Sequence, residues 1–167
     1  MTEIIDPLAN IFNEKEPKDI NDFRNILEEG IESTGANKNL PDIGNFLTKV
    51  EISKKEDHSL TTDIHVPEGE GPFPILVYFH GGGWISGSPK SHRKICHRFA
   101  EAGFLVFNVD YALAPENPFP QGFDECCESV RWVVANAEKY NGDSNRLSVG
   151  GDSAGGNLTA ACAASLA

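Results

Sequence analysis

At 167 residues, 40% of them hydrophobic, the chain is long enough to bury one core and short enough to be a single domain or part of one. Its 14 Lys and Arg against 25 Asp and Glu leave a net charge of -11, which repels a phosphate backbone and an anionic membrane surface, so neither nucleic acid nor a membrane is an expected partner. The longest apolar run, Phe73 to Phe79, is broken by Pro74 and too short to span a bilayer.

Residues Met1 to Asp6 have neither the basic start nor the apolar core of a secretory signal, which makes a cytoplasmic location the expectation. Four cysteines without a CxxC spacing, two of them adjacent, fit a reducing compartment. His92, Cys96 and His97 fall on one expected helix, but with no second ligand cluster and Cys96 on the apolar stripe, neither a metal nor another cofactor is expected.

Residues 1 to 45 read as a helical segment. Asp6-Pro7 supplies a cap and a first-turn proline, and Ile20, Phe23, Ile26, Leu27 and Ile31 space a second helix that Gly35 closes. Asn37 to Gly44 reads as a linker. Such helices serve either as packing on a core or as a lid over a pocket, and the sequence does not separate the two.

From Phe46 to Val66 the pattern alternates: Leu47, Val50 and Ile52, then Leu60, Ile64 and Val66, which predicts a β-hairpin. After the turn Glu68 to Pro72, the stretch Pro74 to Phe79 is apolar at every position, as a parallel strand buried on both faces requires. A helix from Ser91 to Ala102, stopped by Gly103, leads to a second buried strand, Phe104 to Val109. The proline-rich segment Tyr111 to Pro120 is an ordered loop. A longer helix follows through Phe123, Cys126, Cys127, Val130, Val133, Val134 and Ala137, ending at Asn141-Gly142. Arg146 to Val149 then reads as a short buried strand, with a helix from Asn157 onward. This alternation predicts an α/β fold with a mostly parallel sheet and helices on both faces.

The turn between that last strand and helix is Gly151-Asp152-Ser153-Ala154-Gly155-Gly156-Asn157. A serine on a sharp strand-to-helix turn needs almost no bulk two residues away on either side, and Gly151 and Gly155 supply this in the pattern GxSxG. The helix N-terminus beyond it directs unpaired N–H groups at the same spot. In a parallel α/β sheet the loops at the carboxyl ends of the strands share one edge, so His80-Gly81-Gly82-Gly83-Trp84 faces Ser153. Gly82, Gly83 and Ala154 are candidate N–H donors to an oxyanion, each worth roughly 3 to 4 kcal/mol at a transition state. A dinucleotide fingerprint fails because Ser86 occupies the place of its last glycine. A P-loop fails because no Gly-Lys-Ser/Thr follows.

These three stretches, with Tyr111-Ala112-Leu113-Ala114-Pro115-Glu116 as the third, resemble the hormone-sensitive-lipase-like group of α/β-hydrolases from about residue 46 onward. The resemblance implies hydrolysis of carboxylic esters of short or medium acyl chains, a small-molecule ester as the partner, Ser153 as nucleophile, and Gly82, Gly83 and Ala154 as oxyanion hole. It makes Asp152 a structural hydrogen-bonding residue and His80 a support of the glycine loop, with Gly81, Gly151 and Gly155 shaping the site. Helices before the sheet belong, in that group, to a cap.

Two departures stand out. Ala112 replaces the arginine usual in the third motif, which removes a local ion pair. The family order is serine, acid, histidine, yet all five histidines precede Ser153 and no His, Asp or Glu lies in the 14 residues after it. The triad acid and base are therefore not in this chain, and the expectation is the N-terminal portion of an esterase, cut after the nucleophile helix. Two other readings stay open: a non-catalytic ligand-binding protein on the same fold, and an inactive fragment. A cut there would also leave the last strand unpaired on its outer edge, a route to self-association.

Overall fold

The computed structural model describes residues 16–167; the expected helix start at Asp6-Pro7 lies outside them. Helix α1, Ile20–Ser33, begins where Asp19 accepts from the N–H groups of Asn21 and Asp22 at 2.9 and 2.8 Å. It ends before Gly35, which takes the left-handed conformation that stops helices (φ 73°).

The alternating stretch forms the expected hairpin, β1 (Asn45–Lys54) against β2 (Ser59–Val66), antiparallel, with a bulge at Leu47/Val50. There Lys49, at φ 53°, turns its N–H to Asp63 Oδ1 at 2.9 Å. Then follow β3 (Phe73–Phe79), α2 (Arg93–Glu101), β4 (Leu105–Asp110), α3 (Gln121–Asn136) with a 3-10 turn at Ala137–Tyr140, β5 (Gly142–Gly151) and α4 (Ala154–Leu166). Among the described residues, no helix is long and apolar enough to cross a membrane.

All five strands join one sheet in the order β1-β2-β4-β3-β5. β3 runs parallel to both β4 and β5, while β2 pairs antiparallel with β4, so the hairpin extends the parallel part into a mixed sheet. Alternate residues of β3 point to opposite faces. Ile75, Val77 and Phe79 pack with Phe107, Val130, Val133 and Leu158 beneath α3 and α4. Leu76 and Tyr78 pack with Cys96, Ala100 and Val106 under α2. Apolar side chains are thus consumed on both faces, at about 1.5–3 kcal/mol for each large one fully buried, which is why β3 and β4 carry hardly any polar residue.

Two expectations are corrected. The last strand is not short and buried: β5 is ten residues long, and of these only Gly142 is buried. Its position explains this, because among the described residues it pairs with β3 alone and its other flank has no neighbouring strand. The helix after Ser153 starts at Ala154, three residues before the expected Asn157. Its first turn, Ala154-Gly155-Gly156, has no apolar periodicity to mark it.

Candidate active site

Ser153 lies between β5 and α4 with φ 50° and ψ -117°, a conformation a non-glycine residue keeps only where its surroundings enforce it. The enforcement is visible on both sides. Gly155 sits against the end of β3 so closely that a Cβ there would run into the Phe79 carbonyl. α4 is thereby pressed onto the sheet edge, and its first N–H groups, at Ala154 and Gly155, have no preceding helical turn to bond to. Ser153 itself is exposed.

The glycine loop leaves the end of β3 beside this turn, since Phe79 is in register with Gly151. Asp152 staples the two together: its Oδ1 accepts from the Gly81 N–H at 2.9 Å and from the Tyr78 hydroxyl at 2.8 Å, and lies 3.2 Å from His92 Nε2. Partial burial pushes its carboxyl up, but the Tyr78 hydrogen bond, the adjacent His92 imidazole and the Gly81 N–H outweigh that and hold it below the ordinary carboxylate value. Gly82, at φ 131°, reverses the chain so that its carbonyl accepts from Ile85 N, Ser86 N and Ser86 Oγ. Gly83 follows at φ 63°.

His80 is buried beneath the loop. Its Nδ1 pairs with the Gly81 carbonyl at 2.8 Å, and its ring stacks on Tyr111 at 4.4 Å, whose hydroxyl donates to the His80 carbonyl at 2.6 Å. Because a carbonyl only accepts, Nδ1 carries the proton. Burial pushes the ring's pKa down to about 4, so it is neutral near pH 7. A neutral, enclosed imidazole with its proton committed to a carbonyl props a loop; it is not placed to shuttle protons.

The three residues considered for a metal go to different places. His92 reaches Asp152, His97 pairs with His65 at 2.9 Å between Nδ1 atoms, and Cys96 is buried under α2's face of the sheet.

Sequence reading missed two supports. Arg24, on α1, donates through Nε to the Ile85 carbonyl at 2.7 Å and through Nη2 to the Ala114 carbonyl at 2.8 Å. It also forks onto both oxygens of Glu116 at 2.9 and 2.7 Å. Glu116 therefore has a cationic partner although Ala112 cannot supply one. The available signal was an arginine inside the Ile20, Leu27, Ile31 stripe, where a solvated charge does not belong. The second support is Glu125, buried at the start of α3, which accepts from the Ala112 N–H at 2.8 Å and pairs with His58 at 2.7 Å.

A cleft of about 390 Å³ opens beside the serine turn, lined by Trp84, Tyr111, Phe119, Phe123, Leu158 and Ala161 among others. Ser153 is not in its wall, but Trp84 adjoins Gly83, and Asn157, one helical turn past Ser153, also lines it. Its two most exposed aromatics, Trp84 at 49% and Phe119 at 86%, present apolar surface to solvent.

A strained serine at a strand-to-helix turn, facing a glycine loop across a shared sheet edge, defines an α/β hydrolase. The family model of the alpha/beta hydrolase fold matches residues 76–167, and the chain belongs to that family. It is similar to the carboxylesterase NlhH of Mycobacterium tuberculosis, 46% identical over 91 residues, covering 54% of this chain and 28% of that protein. Among solved structures, the esterase of Pyrobaculum calidifontis superposes with a TM-score of 0.83 at 31% identity, over 94% of this chain and 51% of that one. A thermophilic carboxylesterase cloned from a metagenomic library gives 0.79 at 32%, over 86% and 48%. The chain thus spans about half the length of these solved relatives and little more than a quarter of the curated one.

Proposed function

We propose that residues 16–167 form the nucleophile and oxyanion half of a serine carboxylesterase of the hormone-sensitive-lipase-like group. Ser153 Oγ attacks the carbonyl carbon of an ester, the carbonyl oxygen becomes an oxyanion, and the N–H groups of Gly82, Gly83 and Ala154 receive it. The alcohol leaves, and water later releases the acid from the acyl-serine. The observation that carries this reading is the backbone of Ser153, held at φ 50° and ψ -117° at the N-terminus of α4.

A serine hydroxyl needs a base. His80 is enclosed and neutral, and no histidine lies between Ser153 and Ala167, so these residues supply the nucleophile and the oxyanion donors and not the general base. The cleft between Trp84 and Phe119 is apolar and of a size to take a short or medium acyl chain.

The test is hydrolysis of p-nitrophenyl butyrate with fluorophosphonate labelling, on the 167-residue chain, on a longer form carrying a downstream Asp and His, and on Ser153→Ala of each. Turnover and labelling of the longer form, lost on Ser153→Ala, support the proposal. A folded longer form that neither turns over nor labels overturns it in favour of a ligand-binding role.

A further inference from the structure

Three of the four cysteines meet where α3 packs on α4, on the sheet face away from α2. Cys126, Cys127 and Cys162 are buried, none more than 4% exposed. The Cys127 thiol donates to Cys162 Sγ at 3.3 Å, and Cys126 lies in the same buried cluster. Cys96 lies apart, under the other face.

The three thiols are not equivalent. The neighbouring Cys126 thiol lowers the Cys162 pKa against the opposing effect of burial, and the Cys127 hydrogen bond and the positive charge of Arg131 add to it. Burial pushes Cys126 and Cys127 up. Cys162 is thus the most readily deprotonated of the three and touches its partner already. Thiolate character and access together select which cysteine oxidises first, and with the cluster buried, peroxide reaches it when the packing of α3 on α4 opens locally.

We infer that this cluster is a peroxide-oxidisable site that closes into a Cys127–Cys162 disulfide, joining α3 to α4. The Cys162 thiolate attacks one oxygen of hydrogen peroxide; an S–O bond forms, the O–O bond breaks, and hydroxide leaves to take up a proton. The sulfur of Cys127 then attacks the sulfenic sulfur, an S–S bond forms, the S–O bond breaks, and the Cys127 proton departs with the oxygen as water. Two thiols and one peroxide become one disulfide and two waters, and an added dithiol reverses the exchange. The linkage ties the helix that begins just after Ser153 to the helix whose Glu125 accepts from Ala112.

The chain is treated with hydrogen peroxide, alkylated, and read by intact mass and by peptide mapping, natively and in guanidinium chloride. The native chain is expected to lose two alkylatable thiols and two hydrogen masses while remaining monomeric on a non-reducing gel. The new linkage maps to Cys127 and Cys162, and dithiothreitol restores all four thiols. Cys162→Ser and Cys127→Ser each abolish the linkage; Cys96→Ser leaves it. Four alkylatable thiols after treatment, a linkage through Cys96 or Cys126, oxygen adducts with no linkage, or the same pairing in guanidinium would each overturn the proposal. The unmutated chain decides the matter even if a variant does not fold.

Discussion

Arg24 and Glu116, 92 residues apart in the chain, form a two-pronged ion pair that closes α1 over the loops flanking the serine turn. The same guanidinium holds the Ile85 and Ala114 carbonyls, so one side chain braces the glycine loop and the Tyr111–Glu116 loop beside the point where the Ala114 N–H donates to the Trp84 carbonyl at 2.9 Å. Planarity matters here, because a lysine ammonium offers no fork.

Arg24→Ala is expected to lower stability by about 1–2 kcal/mol through the two abandoned carbonyls. Arg24→Lys should recover only part of this, because one ammonium cannot reach all three acceptors. Glu116→Gln leaves those carbonyl bonds in place and should cost least. Urea midpoints of the three variants check the order; equal loss in Glu116→Gln and Arg24→Ala would contradict it.

Two neighbouring glycines of α4 separate a local requirement from a general one. Gly155→Ala drives a Cβ into the Phe79 carbonyl and should destabilise by about 2–3 kcal/mol, with the serine turn displaced. At Gly156 the nearest atom to an added Cβ, the Gly151 carbonyl oxygen, is 3.4 Å away. Gly156→Ala should therefore stabilise by about 0.5–1 kcal/mol, the ordinary gain in a helix. Thermal unfolding of the pair reads the difference directly.

Asp152 has a folded pKa below its ordinary value, so its contribution is present above the unfolded pKa and lost as pH falls through the folded one. Its side chain is 47% exposed, and solvent screening limits the contribution to about 1 kcal/mol or less. Asp152→Asn should lower the urea midpoint at pH 7 and converge with the parent below the ordinary carboxylate range.

His65 and His80 have the opposite chemistry and a different window. Burial lowers them to about 3 and about 4, while unfolded imidazoles titrate near 6.5. Between about pH 6.5 and 4 the unfolded chain binds protons that the folded chain refuses, so stability falls as pH falls, by at most about 3 kcal/mol per histidine. His58 is raised, chiefly by its hydrogen bond to Asp57, so its contribution is fully present within that window and is lost only as pH rises above it. His65→Gln should flatten the slope between pH 6.5 and 4 whatever its effect at pH 7. An unchanged slope would mean His65 protonates in the folded state.

What the sequence determined alone is whatever a few adjacent residues must do for themselves. Gly82 and Gly155 stand where a Cβ is impossible, the alternation of β1 and β2 records one covered face, and the unbroken apolar run of β3 records two. Such requirements act over a few residues and so leave a local trace, which is why the serine turn and the glycine loop were legible. Tertiary structure decided the rest. That Glu116 keeps a cation from α1, that Glu125 supports Ala112, and that Cys127 meets Cys162 depend on segments brought together only by the sheet. The exposure of β5 was decided in the same way, because a strand's burial depends on its neighbours as much as on its own residues.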